Sequence, residues 1–340
     1  MKQHMKTSFH GRYLYEGNRM ENKKIIIGTL FAIAIIACLA ISVEIIGNIS
    51  EQAYIAGYDS EIVMKSADGS VPEFVLNTQF PNEKDTVQLY NVDNKKLNSE
   101  QIQSIGESFD LKGDLETYSK KTGELKIVDD SYDPQRQISY YPKSGAIVYS
   151  IPDEEYPNTV ESQPSLPSKD EAIKIAKSFV EKTNTHEEEG FVINVGVNQK
   201  QQIWKSGATE PEKSYDITTA IRYSRDLDGI PVYGDEFSVI IGDGGEVVGL
   251  VKCWREVEQG GTGRLKTAED AYDDLCNRDT VNPLNLAEYD KITIDKISLG
   301  YWMEPRIYEQ DQVKPVYAFS GTATRGDKTD PYVEYVYALK

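Results

Sequence analysis

The stretch SKDEAIKIAKSFVEK, Ser168–Lys182, predicts an amphipathic helix that needs a second layer to cover it. Ser168 and Glu171 have the spacing of a capping box, in which the hydroxyl accepts from a free helix N–H and the carboxylate accepts from the cap N–H. The residues behind this cap repeat at helical spacing and form one apolar stripe. The stripe consists of Ala172, Ile173, Ala176, Phe179 and Val180. A helix with one apolar stripe buries it against another element, such as a sheet.

Two other stretches begin in the same way. Leu97–Ile105 reads LNSEQIQSI, and Gly106 directly after it weakens the predicted helix. Leu265–Tyr272 reads LKTAEDAY, where Thr267 and Asp270 approximate a second capping box. The chain therefore contains three predicted helix starts of one kind.

Each predicted helix is followed by short runs that are rich in β-branched and aromatic residues, which are typical of strands. The predicted strands are Glu124–Val128, Gln137–Tyr141, Ala146–Ser150, Phe191–Val197, Tyr215–Tyr223, Glu236–Ile241, Glu246–Trp254, Lys291–Tyr301, Val313–Ser320 and Tyr332–Leu339. Asp243-Gly244-Gly245 predicts a tight hairpin turn, because glycine adopts positive φ without strain. A capped helix and then an antiparallel meander, three times over, predicts an α+β fold of two to three small modules.

The longest apolar run of the chain is KKIIIGTLFAIAIIACLAISVEIIG at 23–47. About 20 apolar residues cross a bilayer as a helix, and residues 1–24 hold six Lys and Arg against two Glu. This charge asymmetry predicts that the N-terminus is cytoplasmic. We therefore expect an N-terminal transmembrane helix at 25–47, acting as an uncleaved signal-anchor of a single-pass protein of the cell membrane. The bulk of the chain would then be extracytoplasmic.

Two alternatives to an uncleaved anchor stay open for this run. A cleaved signal peptide has a shorter apolar core and a small-x-small exit, which the run lacks. Cys38 follows Ile-Ile-Ala, which loosely resembles a lipidation site, although the apolar residues continue through Val43. Met20 opens MENKKIIIG, which would be a more typical start than Met1.

The net charge of the chain is −18, so the part beyond residue 24 carries −22 once the N-terminal excess of four positive charges is removed. Such a charge disfavours nucleic acid and anionic lipid as main partners, because both are polyanions. The composition, with 39% hydrophobic and 10% aromatic residues, is that of folded protein.

Several of these stretches resemble known extracytoplasmic modules. SKDEAIKIAKSFVEK resembles the first helix of PepSY-type domains, and Gly229–Gly234 leading into SVIIGDGGEVVGLVKCWREV resembles the strand pair of FTP/PepSY modules. LKTAEDAYDDL, ITIDKISLGYW, VKPVYAFSG and YVEYVYAL are similar to the C-terminal half of YycI-type proteins. The resemblance covers roughly residues 95–340. It implies a membrane-anchored regulatory protein that acts on a partner such as a sensor kinase or a peptidase, and not an enzyme.

The sequence then predicts six divisions of the chain. They are a cytoplasmic basic tail at 1–24, the anchor at 25–47, a stalk and entering strand at 48–90, a first helix-plus-sheet module at 91–152, a second, PepSY/FTP-like module at 166–258 and a third, YycI-like module at 264–340. The Pro-rich stretch at 151–167 and the glycine-rich stretch at 259–263 separate the modules.

Side chains for catalysis are sparse. His186 in HEEEG is the one histidine beyond the tail, and the stretch lacks the second histidine of a zinc hydrolase motif. Asp129, Asp130 and Asp133 crowd together, as do Asp226 and Asp228, yet neither group follows a calcium-binding loop. We expect no catalytic residues, no metal and no cofactor. A pair of carboxylates acting in a hydrolase stays open, because so many acids are present.

Cysteine chemistry is limited to three residues. Cys253 and Cys276 could form one disulfide in an oxidising compartment or remain free thiols. Cys38 is the candidate lipidation site.

Aromatic residues at predicted strand ends are the best candidates for binding, since Trp, Tyr and Arg are frequent hot-spot residues at protein interfaces. The candidate binding residues are Trp204, Tyr223, Tyr233, Trp254, Arg255, Tyr301 and Trp302. Packing in a sheet core is the alternative for each of them. If they were exposed together, they would form an aromatic strip on a sheet.

These observations lead to three hypotheses on function. The first is a membrane-anchored extracytoplasmic binding or regulatory protein that modulates a peptidase or sensor partner through sheet surfaces. The second is a structural protein of the cell envelope that binds wall polymer or a surface layer. The third is a carboxylate-based hydrolase.

Overall fold

The computed structural model describes residues 72–82, 85–206 and 208–340 with their side chains, and residues 25–31 as backbone. The α-helices of these residues are α1 (Ser99–Ser108), α2 (Pro152–Glu155), α3 (Lys169–Lys182) and α4 (Ala268–Cys276). Their strands are β1 (Ile25–Phe31), β2 (Glu73–Leu76), β3 (Thr86–Val92), β4 (Leu115–Ser119), β5 (Glu124–Asp129), β6 (Arg136–Tyr141), β7 (Ala146–Ser150), β8 (Phe191–Lys205), β9 (Lys213–Ser224), β10 (Asp226–Leu227), β11 (Ile230–Tyr233), β12 (Glu236–Ile241), β13 (Val247–Cys253), β14 (Val257–Arg264), β15 (Lys291–Trp302), β16 (Gln312–Arg325) and β17 (Lys328–Tyr337). The structure is mainly β.

The strands form two large sheets. The first sheet has nine antiparallel strands in the order β1-β8-β9-β12-β13-β7-β6-β5-β4. The second sheet has eight strands, with β10-β11-β15-β16-β3-β14 in line, β17 beside β16 and β2 beside β15. In the second sheet β11 and β2 run parallel to β15, and the other pairs are antiparallel.

The predicted α+β fold of small modules, each a helix on its own meander, is wrong. β7 pairs along β13, with Ser150 opposite Gly249 and Ile147 opposite Lys252, so the strands that follow α1 and α3 belong to one sheet. A separate meander would leave bare edge strands with unpaired N–H and C=O groups, and joining two edges satisfies those groups. β10 and β11, from within the predicted second module, belong to the second sheet.

Ser168 with Glu171 and Thr267 with Asp270 form capping boxes, as the sequence predicts, and the structure adds a third one at Asn98 with Gln101. α3 buries Ala172, Ala176 and Val180 in the core of the first sheet. α4 buries Ala271 and Leu275 in the core of the second sheet. Each sheet therefore has a helix-covered face that carries its main core.

The predicted membrane anchor and the single-pass membrane localisation are also corrected. In the part of the chain that the structure describes, no helix is both long enough and apolar enough to cross a bilayer. Ile25–Phe31, the start of the predicted span, is instead strand β1, which pairs antiparallel with β8. β-branched residues such as Ile25 to Ile27 favour a strand where an unpaired edge is at hand. Residues 32–47, Cys38 among them, lie outside the described residues.

Arg255 joins the two sheets. It directly follows the first sheet, and its guanidinium donates to the backbone carbonyls of Glu304 (2.6 Å), Tyr308 (2.9 Å) and Pro305 (3.3 Å) after β15. Arg306 of the same loop forms an ion pair with Glu236 of β12. Arginine suits this position because its planar group offers five donors to several acceptors at once.

A buried carboxylate holds the loop after α4 against β17. Glu334 is 2% exposed and accepts from the guanidinium of Arg278, the backbone N–H of Leu284 at 2.7 Å and the hydroxyl of Tyr332 at 2.5 Å. Burial raises the pKa of Tyr332 far above its ordinary value, so this hydroxyl remains a donor at all physiological pH values. The carboxylate is thus fully bonded, as a buried charge must be.

We predict that Glu334→Gln lowers the free energy of unfolding by about 3 kcal/mol, because it leaves the half-buried Arg278 without its anion. The matched control is Glu288→Gln, which removes a carboxylate from an exposed pair with Arg325 and should cost less than about 1 kcal/mol. Urea unfolding measures both. Equal losses in the two variants would contradict this account of Glu334.

Candidate functional site

At one end of the first sheet, helix α3 gives way to the loop that follows it. Its Ile175 packs at the β12–β13 turn, and the helix ends at Lys182. The far ends of β9, β12 and β13 carry Tyr223, Phe237 and Lys252 on the helix side of the sheet. The loop that follows α3 reaches these ends, where Tyr223 and Lys252 stay partly accessible and Phe237 is buried.

Three aromatic rings form a continuous surface at this end, which we call the aromatic shelf: Tyr223, Phe237 and Trp254. The rings of Tyr223 and Phe237 stack with centroids 4.5 Å apart, and Trp254 meets Phe237 edge to face at 5.6 Å. Phe237 is buried, while Tyr223 and Trp254 are half-buried. The shelf therefore consists of two half-buried rings on a packed base.

An ion pair lies beneath the shelf. Arg225 and Asp235 have side chains only 3% and 1% exposed, and Arg225 Nε donates to Asp235 at 2.8 Å. The guanidinium lies 4.5 Å from the ring of Trp254 and donates to the backbone carbonyl of Arg255 at 2.8 Å. Burial raises the pKa of the Asp235 carboxyl, and the positive charge of Arg225 opposes that rise. A charge so placed attracts the indole ring and fixes its position.

The polar atoms of the two half-buried rings have no partner in the described chain. Neither the hydroxyl of Tyr223 nor the indole N–H of Trp254 forms a hydrogen bond among the residues with placed side chains. Burial raises the pKa of Tyr223 to about 12, so its hydroxyl is protonated and can donate at neutral pH. Two hydrogen-bond donors are therefore available on the shelf.

The acidic loop after α3 borders the shelf. Glu187 forms an ion pair with Lys252, with the two charged atoms 2.5 Å apart. Gly190 lies against Trp254, since a Cβ there would be 3.5 Å from the far edge of the indole. Glu188 and Glu189, between these two contacts, are exposed and form no ion pair among the described residues. The border of the shelf therefore carries two uncompensated negative charges.

The structure brings only some of the predicted binding residues together. Tyr223 and Trp254 meet on the shelf, and Arg255, 3% exposed, lies behind it at the sheet junction. Trp204 is half-buried on β8. The remaining predicted residues, which are buried in the second sheet, are Tyr233, Tyr301 and Trp302.

The buried aromatic residues of the second sheet have satisfied polar atoms. The hydroxyl of Tyr301 donates to the carbonyl of Gln88 at 2.7 Å, and the indole N–H of Trp302 donates to Glu304 at 3.3 Å. The hydroxyl of Tyr233 lies 3.3 Å from that of Ser298. Buried Tyr and Trp usually find such partners. The shelf residues differ from these in that respect.

The residues beneath and beside the shelf escape prediction from sequence. Arg225 and Asp235 read as ordinary charged residues of turns, and nothing in their spacing shows that they pair. Phe237 alternates in the run EFSVII, which shows that it faces a core but not that its neighbours are Tyr223 and Trp254.

The two cysteines within the described residues are free thiols. Cys253 is buried at the end of the first sheet, where desolvation raises its pKa to about 12. Cys276 ends α4, on the second sheet. The candidate disulfide between them is therefore not formed in the structure.

Carboxylates of both acidic clusters accept hydrogen bonds from other groups of the protein. Asp129 accepts from the N–H of Lys112 at 2.7 Å and from the N–H and hydroxyl of Ser131, and these bonds lower its pKa. Asp228 accepts from the hydroxyl of Tyr90 at 2.5 Å. Among the described residues, no three His, Cys, Asp or Glu side chains converge as metal ligands. His186 is exposed in the acidic loop.

One pair of carboxyl groups is relevant to the hydrolase hypothesis. The pKa of Glu154, at α2, is raised by burial and by the neighbouring carboxylate of Glu246, with which it is in hydrogen-bond contact. Glu246 is also paired with Arg136 at 3.1 Å. Carboxyl groups in contact are closer than the separation of about 5 Å or more that glycosidases use. This pair therefore lacks the geometry of a glycosidase.

Comparison with known proteins leaves the family open. No family model matches the chain, and no curated protein matches it. Among solved structures, the chain is similar to an uncharacterized protein from Eubacterium rectale ATCC 33656, with 12% sequence identity, 78% of this chain and 86% of that chain covered, and a TM-score of 0.41. A likeness at this level carries no argument about fold or function. The resemblance to PepSY and YycI-type proteins rests on the quoted residues alone.

We predict that the shelf depends on the Arg225–Asp235 pair. Arg225→Met should lower the free energy of unfolding by about 3 to 5 kcal/mol, because Asp235 becomes a buried charge without a partner. The double variant Arg225→Met/Asp235→Leu removes both charges and should recover most of that loss. Urea unfolding of Arg225→Met, Asp235→Leu and the double variant measures the coupling. Additive losses would show that the two side chains do not act as a pair.

Proposed function

We propose that this chain is a binding protein without catalysis of its own, and that it regulates a protein partner through the aromatic shelf. One observation carries the proposal: Tyr223 and Trp254 are half-buried, lie on a packed base and keep two hydrogen-bond donors unused. The buried aromatics of the second sheet have no such unused donors. The difference favours a surface built to receive a ligand over ordinary core packing.

The physical form of the shelf suits binding to protein. Tyr and Trp dominate the energy of protein interfaces, since they bury large areas and still donate hydrogen bonds. The rings of the shelf are held by stacking and by Arg225 before a partner arrives. A surface that is already ordered loses little side-chain entropy on binding.

The resemblance to PepSY and YycI-type proteins supplies the expected class of partner, a peptidase or a sensor kinase. The shelf fits either class, because it requires only an accessible segment of protein that covers the rings. The envelope hypothesis would instead place a wall polymer on the same rings, and the experiment below separates the two.

The test uses the purified chain as bait in extracts of the source organism, with Trp254→Ala and Tyr223→Phe as shelf variants. Tyr118→Ala is the control, since Tyr118 is 65% exposed on β4, at the opposite edge of the first sheet. We expect one protein to bind wild type and Tyr118→Ala alike and to bind Trp254→Ala about 30-fold more weakly, as for a hot-spot residue. Tyr223→Phe, which removes only the hydroxyl, should weaken binding by about 5-fold.

Affinities are then measured with the purified partner, and circular dichroism confirms that each variant is folded. Binding that is equal in all four proteins would contradict the proposed role of the shelf. Capture of envelope polysaccharide instead of protein would replace the proposal with the structural hypothesis.

A further inference from the structure

The charges around the aromatic shelf determine which ligand it can bind. An inference about that ligand extends the proposed function and rests on it. Two cations and two anions near the rings neutralise each other in pairs, Arg225 with Asp235 and Lys252 with Glu187. Glu188 and Glu189 are exposed and have no ion pair among the described residues. The shelf border therefore keeps two negative charges, on a chain whose net charge is −18.

The ring faces also favour a cation. Tyr223 and Trp254 are half-buried, and the faces of such aromatic rings attract positive charge through their quadrupoles. One such contact already exists within the chain, because the guanidinium of Arg225 lies 4.5 Å from the ring of Trp254. Glu188 and Glu189 directly precede Gly190, which lies against this indole, so a cation bound at Trp254 lies next to their segment of the loop.

The unused donors require acceptors from the ligand. The Tyr223 hydroxyl and the Trp254 indole N–H can both donate to backbone carbonyls, and an extended peptide presents such carbonyls at regular intervals. An anionic ligand would satisfy the donors but would be repelled by the acidic border. A peptide with a basic side chain satisfies the donors, the rings and the border together.

We infer that the aromatic shelf binds an extended protein segment with an arginine that lies over Tyr223 and Trp254 and reaches Glu188 and Glu189. The carbonyls of the segment accept from the two shelf donors. Arginine fits better than lysine, because its planar guanidinium stacks on aromatic rings and bonds carboxylates with two N–H groups at once.

The test uses four acetylated ten-residue peptides of Gly and Ser whose centre reads Arg-Leu-Arg, Lys-Leu-Lys, citrulline-Leu-citrulline or Glu-Leu-Glu. Citrulline has the shape of arginine without its charge. Binding to the full chain is measured by calorimetry at 25 mM and 250 mM NaCl. We expect the arginine peptide to bind at least about 10-fold more tightly than the citrulline peptide at low salt and to weaken at high salt. The lysine peptide should be intermediate, and the glutamate peptide should not bind.

Charge variants of the protein locate the effect. Glu188→Gln/Glu189→Gln should weaken binding of the arginine peptide by at least about 10-fold and leave binding of the citrulline peptide unchanged. The control Glu116→Gln/Glu269→Gln removes two exposed carboxylates on β4 and α4 and should have no effect beyond about 2-fold. Circular dichroism confirms that both variants are folded.

Equal affinities for the arginine and citrulline peptides, or no binding of the arginine peptide at millimolar concentration, would overturn the inference. In that case the proposed function still stands if its partner remains sensitive to Trp254→Ala. If the arginine peptide binds wild type and Trp254→Ala alike, the shelf is not the site, and both proposals fall.

Discussion

The ion pair between Arg225 and Asp235 connects the strand ends of the first sheet that carry the aromatic shelf. Arg225 follows β9, Asp235 precedes β12, and the guanidinium also bonds the backbone after β13, so one side chain joins the ends of three strands. That backbone belongs to Arg255, whose own guanidinium binds the loop after β15 of the second sheet. Arg225 and Arg255 thus connect the base of the aromatic shelf to the junction between the sheets. Because such a pair loses its hydration, it is stable only while its geometry is kept.

This arrangement explains how a surface of half-buried rings can remain ordered. Exposed aromatic side chains on a loop would sample several rotamers, and a partner would have to immobilise them. Here Phe237 supports Tyr223 from one side and Trp254 from the other, and Arg225 holds Trp254 by its charge. The shelf therefore combines the stiffness of a sheet with two free donors. That combination, and not the number of aromatic residues, distinguishes it from the core of the second sheet.

The local elements could be predicted from the sequence, while their assembly could not. The capping residues Ser168 and Thr267 act through neighbours three positions away, so their pattern is visible in the chain. The union of β7 with β13 depends on edges about 100 residues apart, and no local pattern encodes it. The same limit applies to the candidate site. Trp254 and Trp302 look alike in sequence, yet one lies on the shelf and the other is buried with its N–H bonded to Glu304.

A functional shelf requires that Trp254 keeps its indole donor free on an ordered surface. Hydrogen exchange of the tryptophan indole N–H groups, followed by 15N-resolved NMR, measures this directly. The chain has three tryptophans, so each signal can be assigned by single substitution. We expect a sharp Trp254 signal that exchanges with solvent much faster than that of Trp302, whose N–H is bonded and buried. Exchange at Trp254 as slow as at Trp302 would contradict it.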